Sequence, residues 1–144
     1  MNDFITMDGF VSMDDQIITD NNQIVPDNIQ EKHIACVLLV DISGSMGGDP
    51  IDVLNEALIK FGEVLINDEK ARGCADVCVI AFNQNVEIVV PFCPATKYMA
   101  PKLKAGGLTS LNEAIITGLD VIEQRKELYR KIGTPYYRPW MFTS

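Results

Sequence analysis

The sequence predicts an α/β layered fold, a sheet with helices packed on it and an antiparallel hairpin. Three observations predict it. The run Ile34-Ala35-Cys36-Val37-Leu38-Leu39-Val40 is continuously apolar, as in a strand buried on both faces. Helical and strand periodicities then follow one another along the chain, as layered α/β domains require. Finally, Asn83-Gln84-Asn85 separates two apolar runs and is too short for a crossover, so those runs form a hairpin.

Taken in order, residues 1–32 are rich in Asp, Asn and Gln, with only short apolar pairs such as Phe4-Ile5, Phe10-Val11 and Ile17-Ile18. No period is sustained, so this is expected to be a polar, acidic leader, loose or lying along the domain surface. The domain itself is expected over 33–144. Its first strand, 34–40, ends at Asp41, and a Gly/Ser turn follows through Gly48. Pro50 suits the first turn of a helix. Ile51, Leu54, Ala57, Leu58, Phe61, Val64 and Leu65 then recur at helical spacing, predicting an amphipathic helix to about Ile66. Strands are expected over 75–82 and 86–91. Residues 94–104 read as irregular, with one helical turn, and Gly106-Gly107 breaks the chain. Leu111, Ala114, Ile115, Leu119, Val121 and Ile122 predict a second amphipathic helix from Ser110 to about Glu127. After a loop over 133–139, Trp140-Met141-Phe142 reads as the start of another strand.

At 144 residues the chain suits one domain, and 47% hydrophobic content is enough for a core. The formal charge of −8 argues against nucleic acid or an anionic membrane as partner, because phosphate binding needs clustered Lys and Arg. Cys36, Cys74, Cys78 and Cys93 fit neither a zinc frame nor a disulfide scaffold; Cys36 and Cys78 lie in apolar runs and read as small core residues. The first residues lack a basic region and a long apolar stretch, and no apolar run reaches about 18 residues. A reducing cytoplasm is the expected compartment. His33, the only histidine, is expected at the surface or in a capping role, at the strand end opposite Asp41.

The chemistry gathers at Asp41-Ile42-Ser43-Gly44-Ser45. In open α/β sheets, ligands bind at the carboxyl ends of strands, where this turn is expected. One carboxylate supplies charge, and two hydroxyls at alternate positions can turn to one point. Such oxygens suit a hard divalent cation; Mg²⁺ keeps several waters and needs few protein ligands. The competing reading is a hydroxyl-rich turn capping a helix. Thr109, in Gly106-Gly107-Leu108-Thr109-Ser110, could reach the same ion, although Thr109 or Ser110 capping the next helix is the simpler local reading. A phosphoryl-accepting role for Asp41 is disfavoured because position 43 is Ser and supplies no second carboxylate.

These motifs carry a resemblance. Val37-Leu38-Leu39-Val40-Asp41-x-Ser43-x-Ser45-Met46, the helix after it, the strand Val77-Cys78-Val79-Ile80-Ala81-Phe82, and Gly107-Leu108-Thr109-Ser110-Leu111 together resemble a von Willebrand factor A domain with a metal-ion-dependent adhesion site. The stretches PFCPATKYMAPKLKAGGLTSLNEAI and YYRPWMF are similar to bacterial stand-alone domains of the tellurium-resistance, TerY-like group. The resemblance covers about residues 33–142. It implies a doubly wound, mostly parallel, Rossmann-like sheet flanked by helices on both faces, and a binding module, not an enzyme. It also implies a Mg²⁺ or Mn²⁺ ion held by Asp41, Ser43, Ser45 and Thr109, with an open position filled by an acidic side chain of a protein partner. A tellurite or stress role is implied by the resemblance alone.

The family pattern has a third metal loop, Thr-Asp-Gly, shortly after the strand beginning near Trp140, and the sequence stops before it. The expectation is therefore a C-terminally incomplete domain whose strand at 34–40 exposes an open edge. Three explanations follow: a fragment of a longer domain, self-association or another chain completing the sheet, or the leader folding back over the edge. A remnant that binds metal weakly or not at all, and a metal-assisted phosphoryl hydrolase, are the alternatives in function.

Overall fold

The computed structural model describes residues 4–5, 10–13, 16–19 and 22–143. Three short strands lead the chain: β1 (Phe4–Ile5), β2 (Phe10–Met13) and β3 (Gln16–Thr19). They pair antiparallel in the order β1-β2-β3. The apolar pairs of the leader meet in register, Ile5 opposite Val11 and Val11 opposite Ile18. Each pair is too short to show a strand period by itself, so only the pairing reveals these strands.

The main sheet holds β4 (Ile34–Asp41), β5 (Ala75–Phe82), β6 (Val86–Pro94) and β7 (Trp140–Thr143) in the order β6-β5-β4-β7. β4 runs parallel to β5 and β7, and β5–β6 is the antiparallel hairpin. The sheet is open, mostly parallel and flanked by helices, which is the coarse fold the sequence predicts. β6 passes through Pro91 to Pro94, beyond its expected end. Proline removes a ladder donor, but β6 is an edge strand and its pairing is shifted between Val77 and Ile80, both of which accommodate it.

The helices are α1 (Asp49–Asn67), α2 (Glu69–Cys74) and α3 (Leu111–Ile132). α2 is an addition to the predicted elements. Its signal is Asp68, whose side chain accepts from Ala71 N–H as an N-cap. The predicted helical turn is a 3₁₀ turn at Ala95–Lys97. α3 runs five residues past Glu127 because the polar positions near its end do not all face water: Arg125 is fully buried. Gly133, at φ 72°, closes it in the left-handed conformation that glycine adopts most readily.

The core has two sides, set by the period-2 alternation of the strands. Val77, Val79 and Ala81 of β5, with Val40, pack with Ile51, Leu58 and Leu65 of α1. Cys78, Ile80 and Phe82, with Ala35, Val37 and Leu39 of β4, pack with Ala114, Val121, Ile122 and Tyr129 of α3. Every residue of β5 is buried, as a central strand covered on both faces should be.

The expected open edge of β4 is not found. β7 pairs with it from Cys36 to Leu39, opposite Trp140 to Thr143. The outer strand of the main sheet is thus β7, with Trp140 and Phe142 exposed. His33 is the other correction. It is 1% exposed, because residues 22–33 fold across the domain and cover it. Ile24 N–H donates to Phe92 O at 2.8 Å, and Thr134 Oγ1 donates to Ile29 O at 2.7 Å.

Candidate metal centre

Parallel pairing of β4 and β5 brings their carboxyl ends together, with Asp41 in register with Phe82. The loops that leave these strands therefore share one end of the sheet. Asp41 Oδ1 accepts the Ser43 N–H at 2.8 Å, folding the first loop into an Asx turn. The turn carries Ser43 inward, to 6% exposure, and sets Ser43 Oγ 3.2 Å from Ser45 Oγ. Two oxygens bound side by side in an octahedral shell of about 2.1 Å radius lie about 3 Å apart. The hydroxyl pair thus fits adjacent ligand positions.

The capping alternative does not describe this loop. Ser43 precedes the 3₁₀ turn Gly44–Met46 but makes no side-chain cap bond, and the N-cap of α1 is Gly48. At the second loop, Ser110 occupies the N-cap of α3, again without a side-chain cap bond. Thr109 stands one residue outside the helix and is exposed.

Backbone hydrogen bonds join the two loops. Gly106 N–H donates to Ile42 O at 2.8 Å, and Gly44 N–H donates to Gly107 O at 2.8 Å. The Gly106–Thr109 segment is thereby fixed beside the Asp41–Ser45 loop. Gly107 has φ 82°, and a Cβ there would lie 1.8 Å from Gln84 Oε1. Conformation and space both require glycine.

Two residues of the β5–β6 turn take part that sequence reasoning treats only as a polar turn. Asn83 Nδ2 donates to Gly106 O at 3.0 Å, and Gln84 Oε1 accepts the Leu108 N–H at 3.1 Å. Their signal is positional: a polar residue directly after a buried strand parallel to β4 must emerge at the same end as Asp41. Among the described residues, no group of three or more His, Cys, Asp or Glu side chains is placed to hold a metal. A cation here would rest on one carboxylate and on hydroxyls, the oxygen set a hard divalent ion accepts.

A second polar cluster lies on the α3 side of the sheet. Asp76, Arg125 and Tyr129 are fully buried and His33 nearly so. Asp76 Oδ1 lies 3.2 Å from His33 Nδ1, and Asp76 Oδ2 accepts from Tyr129 Oη at 2.5 Å. Arg125 Nη2 is 3.0 Å from Asp76 Oδ2, an ion pair by distance but not an aligned hydrogen bond. The guanidinium carbon sits 5.4 Å from the ring centroids of both Phe92 and Tyr129. Burial, and then the Asp76 charge, push the Tyr129 hydroxyl far above its ordinary range.

No family model matches the chain, and no curated protein matches it. Among solved structures, an uncharacterised membrane-spanning protein from Vibrio fischeri aligns with a TM-score of 0.50 at 14% identity, over 66% of this chain and 52% of that one. The three N-terminal domains of the type V pilus tip protein Mfa5 from Porphyromonas gingivalis align with a TM-score of 0.49 at 14% identity, over 76% of this chain and 19% of that one. The chain thus spans about half of the first and a fifth of the second. The first likeness shows a shared fold and nothing of activity; the second is too slight to carry an argument. Among the described residues, no helix is long and apolar enough to cross a membrane.

Proposed function

We propose that the chain is a protein-binding module of the von Willebrand factor A type, in which Asp41, Ser43, Ser45 and Thr109 hold a Mg²⁺ or Mn²⁺ ion. The observation that carries this reading is the Ser43–Ser45 hydroxyl pair, 3.2 Å apart beside the Asp41 carboxylate at the carboxyl end of β4. Asp41 supplies the negative charge and folds the loop through its bond to Ser43 N–H. Ser43 and Ser45 present neutral oxygens. Thr109, on the loop fixed by Gly106 and Gly107, adds its hydroxyl from the second side. Bound there, the ion would supply an electrophilic position for one acidic side chain of a partner protein. The donor set leaves the site short of negative charge, so a partner carboxylate is the ligand class it favours. A cytoplasmic setting, with a tellurite or stress role, belongs to the same proposal. The four cysteines, all free thiols, support a reducing compartment.

Calorimetric titration of Mg²⁺ and Mn²⁺ into the protein and into Asp41→Ala tests the assignment. Binding by the protein and its loss in the variant are expected. Equal binding by the two would sink it.

A further inference from the structure

His33 is placed between two acceptors. Its Nδ1 lies 3.2 Å from Asp76 Oδ1, and its Nε2 lies 3.0 Å from the backbone carbonyl of Asn28. A carboxylate and a carbonyl can only accept, whereas a neutral imidazole offers one N–H and one lone pair. In the neutral ring, one nitrogen must therefore face an oxygen lone pair to lone pair. Only the doubly protonated ring satisfies both contacts.

The Asn28 contact belongs to residues 22–33, whose other bonds to the domain lie on either side of Asn28: Thr96 Oγ1 donates to Asp27 Oδ2, and His33 N–H donates to Pro135 O at 2.9 Å. Arg125 Nη1 donates to Ile24 O at 2.7 Å and reaches Gln23 Oε1 at 3.4 Å. Ile24 pairs with Phe92, and Ile29 with Thr134. Asn28 itself has φ 49°, a left-handed conformation that Asn adopts more readily than most residues. Its carbonyl accepts from both Glu31 N–H and His33.

We propose that His33 is a pH-operated latch: doubly protonated, it pins the Asn28 turn of the 22–33 segment to Asp76 on β5, and on losing one proton it releases that turn. The proton that stays is the one shared with the Asp76 carboxylate, because a charge-assisted hydrogen bond is the stronger of the two. The proton that leaves is on Nε2, so the Asn28 contact breaks while the Asp76 contact persists. The charged and titratable groups at the ring are Asp76 from β5 and Arg125 and Tyr129 from α3. Neighbouring Lys32 is turned away, its Nζ over the Tyr137 ring at 4.2 Å. Burial alone lowers the His33 pKa; the Asp76 hydrogen bond and charge, with the Asn28 carbonyl, outweigh it against the opposing charge of Arg125, and the net direction is upward. A raised folded-state value means the latch is fully set below the ordinary histidine value of about 6.5 and is lost as pH rises through the folded value.

The test uses the full chain, whose single imidazole makes its NMR signals unambiguous. Long-range ¹H–¹⁵N spectra followed from pH 5.5 to 9 are expected to show both ring nitrogens protonated at the acid end. Nε2 should lose its proton at a pH above the ordinary histidine value. Over the same range, amide exchange protection of residues 24–32, corrected for intrinsic rates and compared with β5, should fall about tenfold, the change set by losing one hydrogen bond to a charged group. In His33→Gln, protection of this segment should no longer depend on pH. A neutral ring at pH 6, or protection that does not change while the ring titrates, overturns the proposal. The wild-type titration decides the matter even where the variant fails to fold.

Discussion

The amide of Gly44 donates to the carbonyl of Gly107 at 2.8 Å, and this bond joins the two loops of the candidate metal centre. Asp41, Ser43 and Ser45 come from one strand end, Thr109 from a segment far along the chain. The approach of the two loops depends on Gly107 holding φ 82° with no side chain, since a Cβ would collide with Gln84. Gly107→Ala is expected to destabilise the fold by about 1–3 kcal/mol and to weaken Mn²⁺ binding. Urea unfolding and calorimetry measure the two effects. Adding Gln84→Ala removes the collision but keeps the backbone strain, so only part of the loss should return.

The hydroxyls of the site are separable from its folding. Thr109 is exposed and lies outside α3, so Thr109→Val should change stability by no more than about 0.5 kcal/mol. The same change should weaken Mn²⁺ binding by roughly tenfold, the order seen when a supporting ligand of a metal site is lost. Thr109→Ser, which keeps the hydroxyl, should bind nearly as the parent does. Equal weakening by the two substitutions would show that the hydroxyl is not the group at work.

Asp41→Asn and Asp41→Ala separate charge from loop geometry. The Asn amide oxygen can still accept the Ser43 N–H that Asp41 Oδ1 accepts, so the Asx turn should persist and stability should change little. Ala removes the acceptor and should cost about 1 kcal/mol. Both should lose divalent-ion binding, since neither supplies the carboxylate. Thermal melts with and without Mg²⁺ give the comparison, and only the parent should be stabilised by the ion.

Arg125 and Asp76 are both fully buried and 3.0 Å apart. Above the pH at which His33 loses its proton, Arg125→Met leaves the Asp76 carboxylate without a cation and should destabilise by about 3–5 kcal/mol. Adding Asp76→Asn removes the stranded charge and should recover part of that loss. A double-mutant cycle read by urea unfolding measures the coupling. Additive losses would show that the two side chains do not depend on one another.

Cys78 and Cys93 are buried, and burial pushes both thiols up to about 12. Their thiolate fraction at pH 7 is then about 10⁻⁵, against a few per cent for an ordinary thiol. In the native protein both should resist alkylation by iodoacetamide until the sheet unfolds, while the half-buried Cys74 reacts first. Mass spectrometry of the alkylated peptides, with and without urea, reads the order. Early modification of Cys78 would indicate local opening of β5.

Local pattern determined much of this protein. The unbroken apolar run of β4 specifies a strand covered on both faces, and the three polar residues after Phe82 specify a hairpin. The helical spacing from Ile51 to Leu65 specifies α1, and Asp41, Ser43 and Ser45 carry their chemistry within five residues. The same pattern fails where a residue's surroundings come from elsewhere in the chain. The polar stretch around Arg125 reads as a helix end, yet Asp76 and Gln23 surround Arg125 and the helix continues to Ile132. His33 reads as a surface or capping residue, yet Asp76 on β5 and Asn28 on the covering segment enclose it. The edge of β4 reads as open, yet β7 pairs with it. Asn83 and Gln84 read as a turn, yet both reach the second loop. Hydrophobic period and turn chemistry are set by neighbours along the chain, so a sequence displays them. The partner of a buried charge or an edge strand is set by packing of distant segments, and only the tertiary structure decides it.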